Sequence, residues 1–153
     1  MDELVSKLKR ICELIVKDPS LMARDGKTFC NFGTNLICSH MGYTGFGNLL
    51  ANDIYDKAVR DWARTTAQWA SEYANSGKLA ICAQKGPIHG HVAVLFPGPM
   101  QMSPKWKEEV PLIANVGAIN GIMGVSAAFR TKPDYFVLKQ NEKMLEVPET
   151  KKD

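Results

Sequence analysis

Cys30 and His91 are the residues of this chain whose types and settings could do nucleophilic chemistry on an acyl group. Cys30 stands in Phe29-Cys30-Asn31-Phe32, where a polar loop should turn into a helix. His91 opens the run Gly90-His91-Val92-Ala93-Val94-Leu95, which reads as a strand. A free thiol has a pKa of about 8.5, and a helix N-terminus and a nearby imidazole both favour its anion. A Cys30 thiolate would attack an amide carbonyl, and His91 would donate a proton to the departing amine. A third polar group must bond the other ring nitrogen and hold the tautomer. Asn115 fits, because it ends an expected neighbouring strand just ahead of Gly117; Asn120 is the alternative. The oxyanion would be bound by the Cys30 N–H, with Asn31 beside it, and by a donor from the loop around Asp25 and Gly26. Tyr43, Trp106 and Phe129 are candidates for a substrate groove, and Lys85 and Arg130 for meeting substrate carboxylates.

Each half of the pair also has a plain structural alternative. Cys30 could be an inert core thiol between Phe29 and Phe32, and His91 a packed strand histidine. Cys12, Cys38 and Cys82 lie in apolar runs without CxxC spacing and are expected to be small, buried, reduced thiols. His89 and His91 flank Gly90 with no paired cysteine or carboxylate motif, so neither a zinc site nor a cofactor is expected. His40 should end its helix, where a cation suits the dipole. The glycine-rich stretch 42–48 lacks the Gly-Lys-Ser/Thr ending of a phosphate loop and follows no strand, which argues against nucleotide binding.

The elements that must position these residues follow from periodicity. Leu4, Leu8, Ile11 and Ile15 predict an amphipathic helix ended by Asp18-Pro19-Ser20. Thr28 is the expected N-cap of a second helix that runs to about Met41 and buries Phe32, Leu36 and Ile37. Residues 50–55 and 57–73 read as helical, with Val59, Trp62, Ala63, Ala67 and Ala70 as a packing face. The period then changes. Strands are expected over 79–83, 91–96, 110–116 and 135–139, with Pro97-Gly98-Pro99 breaking the second and 117–124 forming an ordered loop. The layout is α+β: N-terminal helices packed on an antiparallel sheet, as one domain over residues 1–139, with a charged tail over 140–153 expected to fray.

The chain has 153 residues, 45% of them apolar and 23% charged, with a net charge of +3 and no dense basic stripe. One core, a monomer, and no nucleic-acid partner are expected. The sequence carries no basic-then-apolar leader and no apolar run of membrane-spanning length, so synthesis in the cytoplasm is the expectation.

Three segments resemble one family. Phe29-Cys30-Asn31-Phe32, Gly77-Lys78-Leu79-Ala80-Ile81 and Gly90-His91-Val92-Ala93-Val94-Leu95 look like the core of the NlpC and CHAP cysteine peptidases, in which a Cys begins a helix and a Gly-His-Val-Ala strand carries the base. Asn115-Val116-Gly117 through Pro133-Asp134-Tyr135-Phe136-Val137 resembles the closing strands of phage and type VI secretion amidases of that group, so the likeness spans about residues 25–139. It implies a papain-like fold, the Cys-His order of papain-like enzymes, and metal-free cleavage of stem-peptide or cross-link amides in bacterial peptidoglycan after release or injection. A phage lysin or antibacterial effector would meet an immunity protein, a tail or virion component, or a holin. Two alternatives keep the fold: an acyl-transfer enzyme (deamidase or transferase) on another substrate, and a catalytically silent phage structural protein.

Overall fold

The computed structural model describes residues 2–139; the tail expected over 140–153 lies outside the described residues. The first helix, α1 (Glu3–Val16), starts where the Asp2 carboxylate accepts from the Leu4 N–H at 2.7 Å, and it buries Val5, Leu8, Cys12, Ile15 and Val16 along one stripe. A short 3-10 turn (Pro19–Leu21) and a two-residue hairpin turn at Asp25-Gly26 lead to α2 (Cys30–His40). Thr28 does not cap this helix: Phe29 is the N-cap residue and no side chain bonds the first N–H groups. Phe32 is also turned outward, 42% exposed, rather than packed in the core.

The helix expected over 57–73 is three elements. After α3 (Ala51–Asp61), Trp62 becomes extended and buries its indole against Tyr43 and Phe46, which stops the helix. A short strand, β1 (Ala63–Thr65), follows, and Thr66 then caps α4 (Ala67–Asn75) by accepting from the Trp69 N–H at 3.1 Å. Val59, expected on the packing face, is exposed.

The remaining elements are β2 (Ala80–Gln84), β3 (His91–Ser103), β4 (Glu108–Asn115), β5 (Gly121–Gly124), the short α5 (Val125–Ala128) and β6 (Asp134–Val137). They form one antiparallel sheet in the order β1-β6-β2-β3-β4-β5. Six strands replace the expected four. Pro97-Gly98-Pro99 does not end β3; the register shifts between Phe96 and Gln101, and Gly98, at φ +155°, gives its N–H to Asn75 at 2.7 Å. Part of the expected 117–124 loop pairs with β4 as β5.

Side-chain alternation sends the two faces of β3 into different cores. Val92, Val94 and Phe96 pack with α1, α2 and α3, while Ala93 and Leu95 pack with α4, Val125 and Phe129. Helices therefore cover both faces, whereas the sequence placed them all in one N-terminal layer. Among the described residues no helix is long and apolar enough to cross a membrane.

Candidate functional site

The pairing of β3 with β4 runs only as far as Val94 opposite Ala114. Beyond it β3 stays with β2, through Gln84 opposite His91, while β4 stays with β5, through Asn115 opposite Gly121. The two middle strands thus part at one end of the sheet, and the first turn of α2 occupies that end. The approach is close: a Cβ on Gly33 would lie 2.6 Å from the Val116 side chain. Thr34 reaches over to the Val92 carbonyl, donating its hydroxyl at 3.4 Å.

His91 and Asn115 meet across the parting. His91 Nε2 lies 2.7 Å from Asn115 Oδ1, and Asn115 Nδ2 donates to the Ile119 carbonyl at 2.8 Å. The second bond fixes which way the amide faces, so its oxygen is turned to the ring and Nε2 must carry the hydrogen. Nδ1 is then the basic nitrogen. Phe129 covers the imidazole, with ring centroids 4.8 Å apart, and a Cβ on Gly117 would come to 3.0 Å from His91 Cε1. This packing dries the ring. Burial pushes the His91 pKa below its usual value of 6.5, and the bond from Asn115 offsets part of the effect.

Cys30 packs in the core that also holds Val92 and Val94, and is 7% exposed. Among the described residues no direct hydrogen bond joins its thiol to the imidazole. The link is the backbone: the N–H of Val92, the residue after His91, acts on the sulfur together with the N–H groups of Asn31 and Cys30 itself. These donors favour the thiolate, but burial outweighs them and the Cys30 pKa is raised. This corrects the expectation of a thiol made acidic by its helix start. Both shifts favour the uncharged forms, a neutral thiol and a neutral imidazole.

A cavity of about 550 Å³ opens on Cys30 and is walled by residues 26–32, 50–53 and 88–90. Its rim is apolar, with Phe32, Leu50 and Ile88 all exposed. Gly26 lines it, but Asp25 is an exposed corner of the turn, at φ +54°, whose flanking N–H groups are spent between Arg24 and Lys27. Asn31 lines it too and donates its amide to the Leu49 carbonyl at 3.2 Å. Tyr43 does not belong to this cavity; it stands edge-on to Phe46 and Trp62. Trp106 packs in the second core, Lys85 is engaged with Asp56 at 2.9 Å, and Arg130 is exposed away from the lining. Asn120, the alternative third residue, staples a loop: it accepts from Gly117 N–H and donates to the Leu21 carbonyl.

The other three cysteines are free and have no exposed surface. Burial raises each of their pKa values, that of Cys12 to about 12. Among the described residues no group of His, Cys, Asp and Glu is arranged to hold a metal ion. Sequence reasoning missed the Val92 N–H and the Ile119 carbonyl. Both are backbone groups brought in by the fold, and no side-chain pattern announces them.

Asn115→Asp tests the imidazole contact directly. A carboxylate at the same position favours the imidazolium, so the His91 pKa read from its ring-proton shift by NMR should rise above the wild-type value. An unchanged titration would mean that residue 115 does not face the ring. A scan of the chain against known family models finds no match, and no curated protein matches it in sequence.

Proposed function

We propose that this chain is a cysteine amidase of papain-like fold that cleaves peptide bonds of bacterial peptidoglycan. The observation that carries the reading is the His91–Asn115 bond, with the amide locked by Ile119, on the strand whose Val92 N–H faces the Cys30 sulfur. A thiol, an imidazole and a carboxamide are the three groups that papain-like proteases use, which supports the reading. The sequence resemblance supplies the substrate class.

In the reaction, with substrate bound and the thiol brought within reach of the imidazole, the Cys30 proton passes to His91 Nδ1 as sulfur bonds to the amide carbon. The carbonyl oxygen becomes an oxyanion beside the N–H groups of Cys30 and Asn31, at a helix start that no side chain caps. Collapse breaks the C–N bond, the imidazolium protonates the leaving amine, and an acyl-enzyme remains. Water, deprotonated by His91, releases the acid and restores the thiol. Asn115 keeps Nε2 protonated throughout, so that Nδ1 always faces the chemistry.

Purified sacculi incubated with the protein test the substrate. Soluble fragments bearing new amino and carboxyl termini, identified by mass spectrometry, are the expected result. If sacculi stay intact while a small activated acyl ester is turned over, the amidase reading fails in favour of acyl transfer on another substrate. If neither reacts, the silent structural alternative stands.

A further inference from the structure

We propose that Asn52 is the positioning residue of this site: its carboxamide clamps both backbone groups of Gly86 and so fixes the turn that delivers His91. The inference rests on the catalytic reading of Cys30 and His91. Asn52 is the second residue of α3, far in sequence from the residues it holds. Its Nδ2 donates to the Gly86 carbonyl at 3.0 Å, and its Oδ1 accepts from the Gly86 N–H at 3.1 Å. One side chain thereby pairs with one residue's backbone as a neighbouring strand would.

The turn from Gly86 to Gly90 is folded tightly against that clamp. A Cβ on Gly86 would meet the His89 carbonyl oxygen at 2.0 Å. A Cβ on Gly90 would meet Asn52 Oδ1 at 2.3 Å and the Gln84 carbonyl oxygen at 2.6 Å. Glycine before His91 is therefore a steric requirement of the Asn52 contact. On the far side, Gln84, the register partner of His91, is held by Thr131 Oγ1 at 2.8 Å. The exposed Lys85–Asp56 ion pair also joins turn and helix, but solvent screens it and it adds little to the clamp.

Asn52 and residues 88–90 line the same cavity as Cys30. The clamp sets two things together: the distance of the turn wall from the thiol, and the point where the chain enters His91. Asn52 acts through the turn and needs no contact with substrate. A freed turn would loosen the start of β3 and with it the packing of Phe129 and Gly117 on the imidazole, whose shift comes from burial and from Asn115 with no charged neighbour contributing.

The test is the rate of Cys30 alkylation by iodoacetamide against pH, measured on the full chain for the wild type and for Asn52→Ala, Gly90→Ala and His91→Ala, alongside amide turnover. His91→Ala should lose the acid limb. Asn52→Ala should move that limb up toward 6.5 and lower kcat about 10- to 100-fold, the effect expected of misplacing a reacting group by about 1 Å. Gly90→Ala breaks the same contact from the other side and should shift the limb in the same direction. Asn52→Asp keeps the acceptor for Gly86 N–H and should lie between. If the Asn52→Ala and Gly90→Ala profiles both overlay the wild type, the positioning role is overturned. If wild type and His91→Ala alkylate alike, it is the catalytic reading that fails, and the clamp is only a structural tie.

Discussion

Replacing Cys30 by alanine should abolish amide cleavage, with turnover at least about 10³-fold below wild type, the scale on which loss of a nucleophile is felt in triad hydrolases. The reason is local. Cys30 is the one thiol of the chain that lines the cavity; Cys12, Cys38 and Cys82 are wholly enclosed, with pKa values raised by burial. None of them can substitute. Iodoacetamide should accordingly modify one thiol in the native wild type and none in Cys30→Ala, counted by intact mass. The fold should survive, because the change removes one sulfur from a helix start whose N–H groups are not capped by a side chain. A thermal midpoint within about 5 °C of wild type is expected for a loss of roughly 1 kcal/mol. Retained cleavage with a native melting curve would remove Cys30 from the chemistry.

His91→Ala carries the second large effect, a fall in kcat/KM of about 10²- to 10⁴-fold, the usual contribution of a positioned acid–base group. The resting site explains the size. Burial raises the Cys30 pKa and lowers that of His91, so at pH 7 neither group is charged and no thiolate waits for substrate. The base is needed at the moment of attack. Its own protonation must then end activity, and because its pKa is depressed, the acid limb of kcat/KM should lie below 6.5. Stability follows the same sign. The unfolded chain takes up a proton at this histidine near 6.5 and the folded one only lower, so stability is full above 6.5 and is lost as pH falls through the folded pKa. His91→Ala should flatten that part of the pH–stability curve, read by thermal melts at pH 5 and pH 7. A limb above 6.5 in the wild type would contradict the buried, neutral imidazole.

Much of the layout was legible in local pattern. The α1 stripe from Leu8 to Ile15, the apolar β2 run and the His91 strand are strong periodic signals, because burial on one face imposes its period directly on the sequence. The break at Trp62 was not. A tryptophan at helical spacing looks like a core position, yet here it buries by leaving the helix and stacking on Phe46, a partner 16 positions earlier. Pro97-Gly98-Pro99 looks like a stop, yet a bulge and the Asn75 side chain absorb it. Asn115 stands out in the sequence by its place at a strand end, but only the hydrogen bonds separate it from Asn120, equally polar and five residues on.

The sequence by itself determined the nature of most elements and which residues are the candidate nucleophile and base, since residue type and periodicity are local properties. Tertiary structure decided how those groups behave. The charge state of Cys30 and His91 depends on which side chains exclude water from them, and the tautomer depends on a carbonyl at Ile119 that orients Asn115. The turn that presents the imidazole depends on Asn52, 34 residues before Gly86. Desolvation and long-range hydrogen bonds are sums over everything nearby in space, and neighbours in space are what a linear chain acquires only by folding.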